Sequence, residues 1–212
     1  MFSYIAGIDE AGRGPVIGPL VICCAFCKRE DEKLLKKADP KDSKKLTPKK
    51  REEIYKILKK FCTFRWVEVS AVDLNKLMGE MSLNDIEAKV MAGLIKDLGE
   101  GDVMIDMPDR YSWTFRARME KYGVTKFEAE HKADDRFPIV SAASICAKLV
   151  RDSKIEEIKK KIACDFGSGY PSDAKTMEAL KNKEKRALLA PYIRTRWKTI
   201  QNLKQTKLFG DE

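Results

Sequence analysis

Histidine is nearly absent from this chain of 212 residues, which contains one, His131. Zinc sites in proteins need several cysteine or histidine ligands at set spacings. Cys24 and Cys27 have the C-x-x-C spacing, but no second pair and no histidine cluster completes a site. We therefore interpret all six cysteines as reduced thiols without a redox role, in a reducing, cytoplasmic compartment.

Long apolar runs are also missing. No apolar segment is long enough to cross a bilayer, so we expect no membrane contact. The apolar stretch after Gly18 is short and follows charged residues, which is not the pattern of a secretory signal. The segment "GRGPVIGP" lacks the G-K-[ST] ending of a phosphate-binding P-loop. There is no internal repeat and no low-complexity tract.

Basic residues are in excess, with 42 lysines and arginines against 33 acids and a net charge of +9. The excess is concentrated in residues 33–51 and 174–210. A clustered positive charge favours a polyanionic partner. The alternative is a lysine-rich surface that only keeps the protein in solution.

The order of predicted elements indicates an α/β fold. Apolar segments predict strands over 3–8 and 19–27, joined as a hairpin, and further strands over 64–70, over 102–106 and at the start of 126–134. Helical periodicity predicts helices after Pro48, over about 82–98 and from about Pro138, and Asp173 is a candidate cap for a further helix. We expect a mixed central sheet flanked by helices, with a helical C-terminal extension.

Acidic residues follow three of the strand-like segments: Asp9 with Glu10, then Asp106, then Asp134. A sheet can bring strand ends together, and clustered carboxylates repel one another unless cations lie between them. Mg²⁺ prefers oxygen ligands, and two such ions about 3.5–4 Å apart promote phosphodiester hydrolysis. The alternative for each acid alone is a helix cap or a solvated loop residue.

Five motifs carry a family resemblance. The segments "GIDEAGRGPVIGPL", "DSKKLT", "MIDMPD", "EHKADDRFPIVSAASICAK" and "FGSGYPSD" occur in this order, and together they resemble ribonuclease HII in its archaeal single-chain form. The resemblance implies a ribonuclease H-like fold, with a catalytic domain over 1–165 and a helical substrate-binding segment over 166–212. Ribonuclease HIII is disfavoured, because its members carry an N-terminal extension and the first strand here begins almost at Met1.

The resemblance also implies the reaction. The family hydrolyses the RNA strand of RNA/DNA hybrids and incises 5′ of ribonucleotides embedded in duplex DNA, leaving 3′-hydroxyl and 5′-phosphate ends. Its four catalytic, metal-binding acids correspond to Asp9, Glu10, Asp106 and Asp134. The implied cofactor is Mg²⁺ or Mn²⁺, with two ions in the substrate complex.

Substrate contacts follow from the same resemblance. The family reads the ribose 2′-hydroxyl through backbone groups at Gly12, Arg13 and Gly14, and Tyr170 matches a tyrosine that stacks on the next sugar. The remaining expected contacts to the nucleic acid are Ser43, Lys44, Lys45, Arg194 and Arg196. The alternatives are a core tyrosine, a solvated lysine face and arginines that pack the tail.

Expected partners are RNA/DNA hybrids and ribonucleotide-containing duplex DNA, bound by a monomer. The terminal "KQTKLFGDE" has the glutamine and one aromatic of a sliding-clamp peptide, with different spacing. Two rival functions are a silent hybrid-binding module and an RNA-binding structural protein. Intact acids at all four positions argue against both.

Overall fold

The computed structural model describes residues 4–38, 40, 46–99 and 101–208, without the side chains of 204–208. These described residues form five strands, interspersed with helices up to β5 and followed by helices alone, and ten α-helices in all, as expected for an α/β protein with a helical C-terminal part. The strands are β1 (Tyr4–Ala11), β2 (Leu20–Lys28), β3 (Thr63–Val69), β4 (Asp102–Asp106) and β5 (Glu128–Glu130). The helices are α1 (Glu32–Ala38), α2 (Pro48–Leu58), α3 (Ala71–Leu77), α4 (Leu83–Lys96), α5 (Ser112–Lys121), α6 (Ala133–Arg136), α7 (Pro138–Ile162), α8 (Ala174–Lys181), α9 (Lys183–Leu189) and α10 (Lys198–Leu208). Within these ranges no helix is long and apolar enough to cross a membrane.

The sheet has the strand order β3-β2-β1-β4-β5. β1 and β2 form the predicted antiparallel hairpin, and the pairing continues as far as Ala11 opposite Val21. β4 runs parallel to β1, with Ile8 opposite Ile105, and β5 runs parallel to β4. The central strand β1 therefore does not end at Asp9 and Glu10, because its pairing with β2 continues to Ala11.

Several helix starts confirm the sequence analysis. The Thr47 side chain accepts a hydrogen bond from the amide of Lys50 and caps α2, with Pro48 in the first turn. Asp173 caps α8 in the same way. Helix α3, which the sequence analysis missed, is capped by Ser70 and contains only seven residues.

The six cysteines are free thiols, as expected, and five of them are buried. Cys24 and Cys27 lie three residues apart on β2, so strand alternation directs their side chains to opposite faces of the sheet. Burial raises the pKa of Cys24 to about 12. The C-x-x-C spacing is a consequence of an apolar strand and does not form a redox pair.

The first of two compact units consists of residues 1–11, 21–67 and 83–150. It holds most of the sheet, and one of its core clusters includes Ala25, Leu58, Ile139 and Ile145. Gly7 in the middle of β1 lies directly under the start of α7, since a Cβ at this position would be 2.4 Å from the backbone of Ile139. This close approach fixes the first turns of α7 against the strand that carries Asp9.

The second unit consists of residues 12–20, 68–82 and 151–212. Its core cluster includes Val16, Ile155, Phe166 and Leu189. The unit differs from the expected division at residue 165, because the loop after β1 is hydrogen-bonded into the C-terminal part of the chain. The amide of Val16 donates to the carbonyl of Gly169 (2.8 Å), and Ile17 forms a β-bridge with Ile193.

Candidate active site

Three buried or half-buried aspartates converge in the first unit. Asp9 lies on β1, Asp106 ends the adjacent parallel strand β4, and Asp134 lies on the short helix α6 after β5. One carboxylate oxygen from each lies within 4.8 Å of the other two. The expected convergence of these three acids is therefore found in the structure.

Hydrogen bonds from the chain hold this cluster in place. The amide of Ala133 donates to the Asp106 carboxylate (2.9 Å), which ties α6 to the end of β4. On α7, the Ser141 hydroxyl donates to the carbonyl of Asp134, and Ser144 hydrogen-bonds the carboxylate of Asp9. These two serines lie three residues apart, so one face of α7 orients two of the three aspartates.

The cluster is electrostatically strained. Burial raises the pKa of Asp9 well above its ordinary value, and the charges of Glu10, Asp106 and Asp134 raise it further. The hydrogen bond from Ser144 opposes this shift but is outweighed. Three carboxylates this close favour either a bound proton or a bound cation.

Glu10 differs from the other three acids. It is half-buried and close enough to raise the pKa of Asp9, but it is not one of the residues whose oxygens lie within 4.8 Å of one another. Because β1 continues as a regular strand to Ala11, neighbouring side chains alternate between the faces of the sheet. A metal-binding role for Glu10 stays a prediction.

The donor set fits a hard divalent cation. All three converging ligands are carboxylates, which suit Mg²⁺ and Mn²⁺. Asp9 is only 4% and Asp134 only 2% exposed, so water alone does not neutralise their repulsion. Asp9, Asp106 and Asp134 could therefore hold a metal ion.

Other polar residues near the cluster have structural roles. Asp109 is 2% exposed and accepts a hydrogen bond from Arg118 (3.0 Å), so it anchors the loop after β4. Asp135, the neighbour of Asp134, is exposed. His131 is also exposed, and its Nε2 lies 3.3 Å from the carbonyl of Arg110, which agrees with a structural histidine.

In the second unit, Gly14 and Tyr170 lie side by side. A Cβ at Gly14 would lie 3.4 Å from Cε1 of the tyrosine ring. Gly14 is exposed and Tyr170 is half-buried. Two segments that are more than 150 residues apart in sequence thus form one small surface without an intervening side chain.

The prediction that Arg194 contacts the duplex is wrong. Its side chain is fully buried, and its guanidinium donates from Nε to the carbonyl of Gly18 (2.8 Å) and from Nη1 to that of Arg13 (3.4 Å). It also lies over the ring of Trp197, 4.8 Å from the centroid. Arg194 therefore holds the loop of residues 12–19 from inside the second unit. This agrees with the alternative in which the arginines pack the tail of the chain.

The sequence analysis missed Arg151. This residue on α7 is 2% exposed, donates to the carbonyl of Ser168, and places its guanidinium 4.9 Å from the centroid of the Tyr170 ring. A signal was present, because Arg151 occupies the same helical stripe as the buried Ile155 and Ile158. A charged residue within an apolar stripe indicates a buried polar contact.

The other predicted contact residues are placed as follows. Gly12 is buried, Arg13 is half-buried and Arg196 is exposed. Ser43, Lys44 and Lys45 lie outside the described residues. Their contacts to nucleic acid stay predictions.

Comparison with known proteins supports the same family. The family model for ribonuclease HII matches residues 6–200. Ribonuclease HII of Archaeoglobus fulgidus is 41% identical over 203 residues, which cover 96% of this chain and 98% of that protein. Its structure in a PCNA:RNase HII complex has a TM-score of 0.84 at 40% identity, covering 92% of this chain and 95% of that one.

Two further solved structures show the fold. Ribonuclease H2 from Pyrococcus horikoshii OT3 has a TM-score of 0.86 at 34% identity and covers 98% of this chain and 100% of that one. Bst-RNase HIII in complex with Mn²⁺ has a TM-score of 0.80 at 18% identity, covering 97% of this chain and 70% of that one, which shows a shared fold. The agreement over nearly the whole length means that this chain belongs to the ribonuclease HII family and is a ribonuclease H.

Proposed function

We propose that this ribonuclease H hydrolyses the RNA strand of hybrids and also incises 5′ of single ribonucleotides embedded in duplex DNA. The products would carry 3′-hydroxyl and 5′-phosphate ends. The observation that carries the proposal is the contact between Gly14 and the edge of the Tyr170 ring. Because position 14 is exposed and has no side chain, a single sugar can approach the backbone beside the tyrosine ring.

Recognition of a ribonucleotide needs a group that detects the 2′-hydroxyl. Backbone groups of Gly12, Arg13 and Gly14 are proposed to do this, and the Tyr170 ring to pack on the following sugar. A ring face accepts either ribose or deoxyribose, so one ribonucleotide is enough. Arg151 and Arg194, both buried, support this surface by holding the segments that carry Tyr170 and Gly14.

Asp9, Asp106 and Asp134 are proposed to hold the divalent ions, with Glu10 as a fourth ligand once substrate is present. Bound ions would supply an activated water and stabilise the leaving 3′ oxygen. The role of the chain is to keep the carboxylates ionised and aligned, and Ser144 does this for Asp9. Mg²⁺ or Mn²⁺ fits these ligands.

The test is cleavage of an end-labelled DNA duplex that contains one ribonucleotide, in Mg²⁺, beside an all-RNA/DNA hybrid. We expect a single cut on the 5′ side of the ribonucleotide, with an upstream product that a polymerase can extend from its 3′-hydroxyl. Tyr170→Ala should lose more activity on the single-ribonucleotide duplex than on the hybrid, where many registers compensate. Tyr122→Ala, which changes a half-buried tyrosine at the end of α5, is the matched control.

Cleavage of the hybrid with the single-ribonucleotide duplex left intact would contradict the proposal and leave the ribonuclease H assignment unaffected. Full activity of Asp9→Asn in Mg²⁺ would instead contradict the metal site. The first outcome tests recognition of the single ribonucleotide, and the second tests the catalytic metal site.

We also propose that the protein binds a sliding clamp through its C-terminal segment and acts as a monomer in the cytoplasm. The Archaeoglobus fulgidus structure in complex with PCNA supports the partner, and six free cysteines support the compartment. Residues 209–212 of the candidate peptide lie outside the described residues. Deleting 204–212 should abolish clamp binding in a calorimetric titration while short hybrids are still cleaved.

A further inference from the structure

Two aromatic rings are exposed just after the loop that follows Asp106. Tyr111 is 49% and Trp113 70% exposed. Their rings stack, with centroids 6.1 Å apart and planes 17° apart. The guanidinium of Arg110 lies over the Tyr111 ring, 5.2 Å from its centroid. We call Arg110, Tyr111 and Trp113 the aromatic platform.

The platform is held firmly by its surroundings. Its preceding residue, Asp109, is buried and bonded to Arg118, and Asn84 also donates to its carboxylate. The Thr114 hydroxyl donates to the carbonyl of Tyr111 (2.7 Å), which fixes the start of α5. A fixed backbone and rings that are already stacked on each other lower the conformational entropy that is lost when a partner binds, which is an advantage for recognition.

The platform lies close to the aspartate cluster within the same unit. Tyr111 lies five positions after Asp106, so at most about 18 Å of chain connects their Cα atoms. A second connection runs through the segment after β5, because Nε2 of His131 lies 3.3 Å from the carbonyl oxygen of Arg110 and the amide of Ala133 donates to Asp106. At about 3.4 Å per nucleotide, this upper limit places Tyr111 no more than about five nucleotides from the aspartates.

The chemistry of the platform fits nucleic acid. Stacked aromatic rings bind the faces of bases without regard to sequence, and a neighbouring guanidinium attracts phosphates and also stacks. Bases inside a duplex already stack on their neighbours, so only an unpaired or terminal base can offer its face to a protein ring. A second protein is a less suitable occupant, because the guanidinium of Arg110 over the Tyr111 ring adds a positive charge to the stacking surface, which suits a nucleic acid.

We propose that the aromatic platform stacks on an unpaired base that flanks the hybrid, within about five nucleotides of the cut. The proposal rests on the ribonuclease H activity that brings nucleic acid to the aspartates. It makes the enzyme selective for hybrids next to a single-stranded overhang or flap. Trp113, as the most exposed ring, contributes most of this selectivity.

The test compares a blunt RNA/DNA hybrid with hybrids that carry a short single-stranded DNA overhang at each of the four ends in turn. For wild type we expect one overhang to lower KM about fivefold, with kcat unchanged, since a base–aromatic stack is worth at least about this factor. Trp113→Ala should lose the difference and keep the blunt-hybrid KM and kcat. Trp66→Ala, which removes a tryptophan that is 43% exposed on β3, should keep the difference.

A second measurement does not depend on turnover. With Trp66→Phe and Trp197→Phe, Trp113 is the only tryptophan, and its fluorescence should be quenched by the overhang hybrid in Ca²⁺ but not by the blunt one. Equal KM values for all substrates, together with no quenching, would overturn the proposal. Wild-type protein that cleaves no hybrid at all would instead overturn the assigned reaction. If Trp113→Ala changed only the sedimentation of the protein, the platform would be a protein contact, and the proposal that it binds a base would be overturned.

Discussion

Arg194 donates a hydrogen bond from its guanidinium Nε to the carbonyl of Gly18, at 2.8 Å, across 176 residues of chain. A second nitrogen of the same guanidinium donates to the carbonyl of Arg13. The backbone of Arg194 takes part as well, since its amide donates to the carbonyl of Val16 (2.9 Å). One buried residue thus holds both ends of the glycine loop that we expect to read the sugar.

Arg194→Met keeps the apolar bulk of the side chain and removes the donors. Because two buried carbonyls would then lack these hydrogen bonds, we expect the free energy of unfolding to fall by about 1–3 kcal/mol. Activity on a single-ribonucleotide duplex should fall at the same time. Urea denaturation followed by circular dichroism measures the first effect.

Arg196→Met is the matched control, because Arg196 is exposed two residues further along the chain. This variant should unfold at the wild-type urea concentration and show a higher KM for the hybrid. Equal stability of the two variants would contradict the supporting role of Arg194.

The role of Arg194 shows what the sequence alone could not predict. It lies in a basic tail, where local composition favours solvent or phosphate contact, and its burial depends on a loop near the other end of the chain. The aspartate cluster could be predicted from the sequence, because Asp9 and Asp106 each follow an apolar segment, and these two segments pair as parallel strands. Asp134 was predictable only in part, since β5 has three residues and the acid lies on the helix after it.

Asp9→Asn should stabilise the metal-free protein. The carboxylate of Asp9 is buried beside three other acids, and the amide removes one charge from this repulsion. We expect a melting temperature about 2–4 °C higher for each kcal/mol gained, measured by calorimetry in a chelator. Added Mg²⁺ should then raise the melting temperature of wild type and leave that of the variant unchanged.

Asp109→Asn is the control for this prediction, because Asp109 is equally buried but paired with Arg118. Here the loss of charge removes an attractive contact, so the melting temperature should fall with and without Mg²⁺. A wild-type protein whose melting temperature does not respond to Mg²⁺ would argue against the aspartates as metal ligands.

Gly12 and Gly14 should respond differently to alanine, although they belong to the same motif. Gly12 has a φ of +89°, and a Cβ there would lie 2.7 Å from the carbonyl oxygen of Pro19. Gly12→Ala should therefore lower the free energy of unfolding by about 1–3 kcal/mol. Gly14 does not have a positive φ and is exposed, so Gly14→Ala should stay within about 0.5 kcal/mol of wild type.

Gly14→Ala should nevertheless lose most of its activity on the single-ribonucleotide duplex, because the added methyl group enters the space beside the Tyr170 ring, 3.4 Å from Cε1. Arg13→Ala should lose less, since it keeps the backbone groups that we expect to contact the sugar. Chemical denaturation and kcat/KM, measured on the same preparations, distinguish the effect on stability that we expect at Gly12 from the effect on activity that we expect at Gly14. Wild-type kcat/KM for Gly14→Ala would show that the sugar does not approach this residue, and the proposed reading of a single 2′-hydroxyl would have to be abandoned.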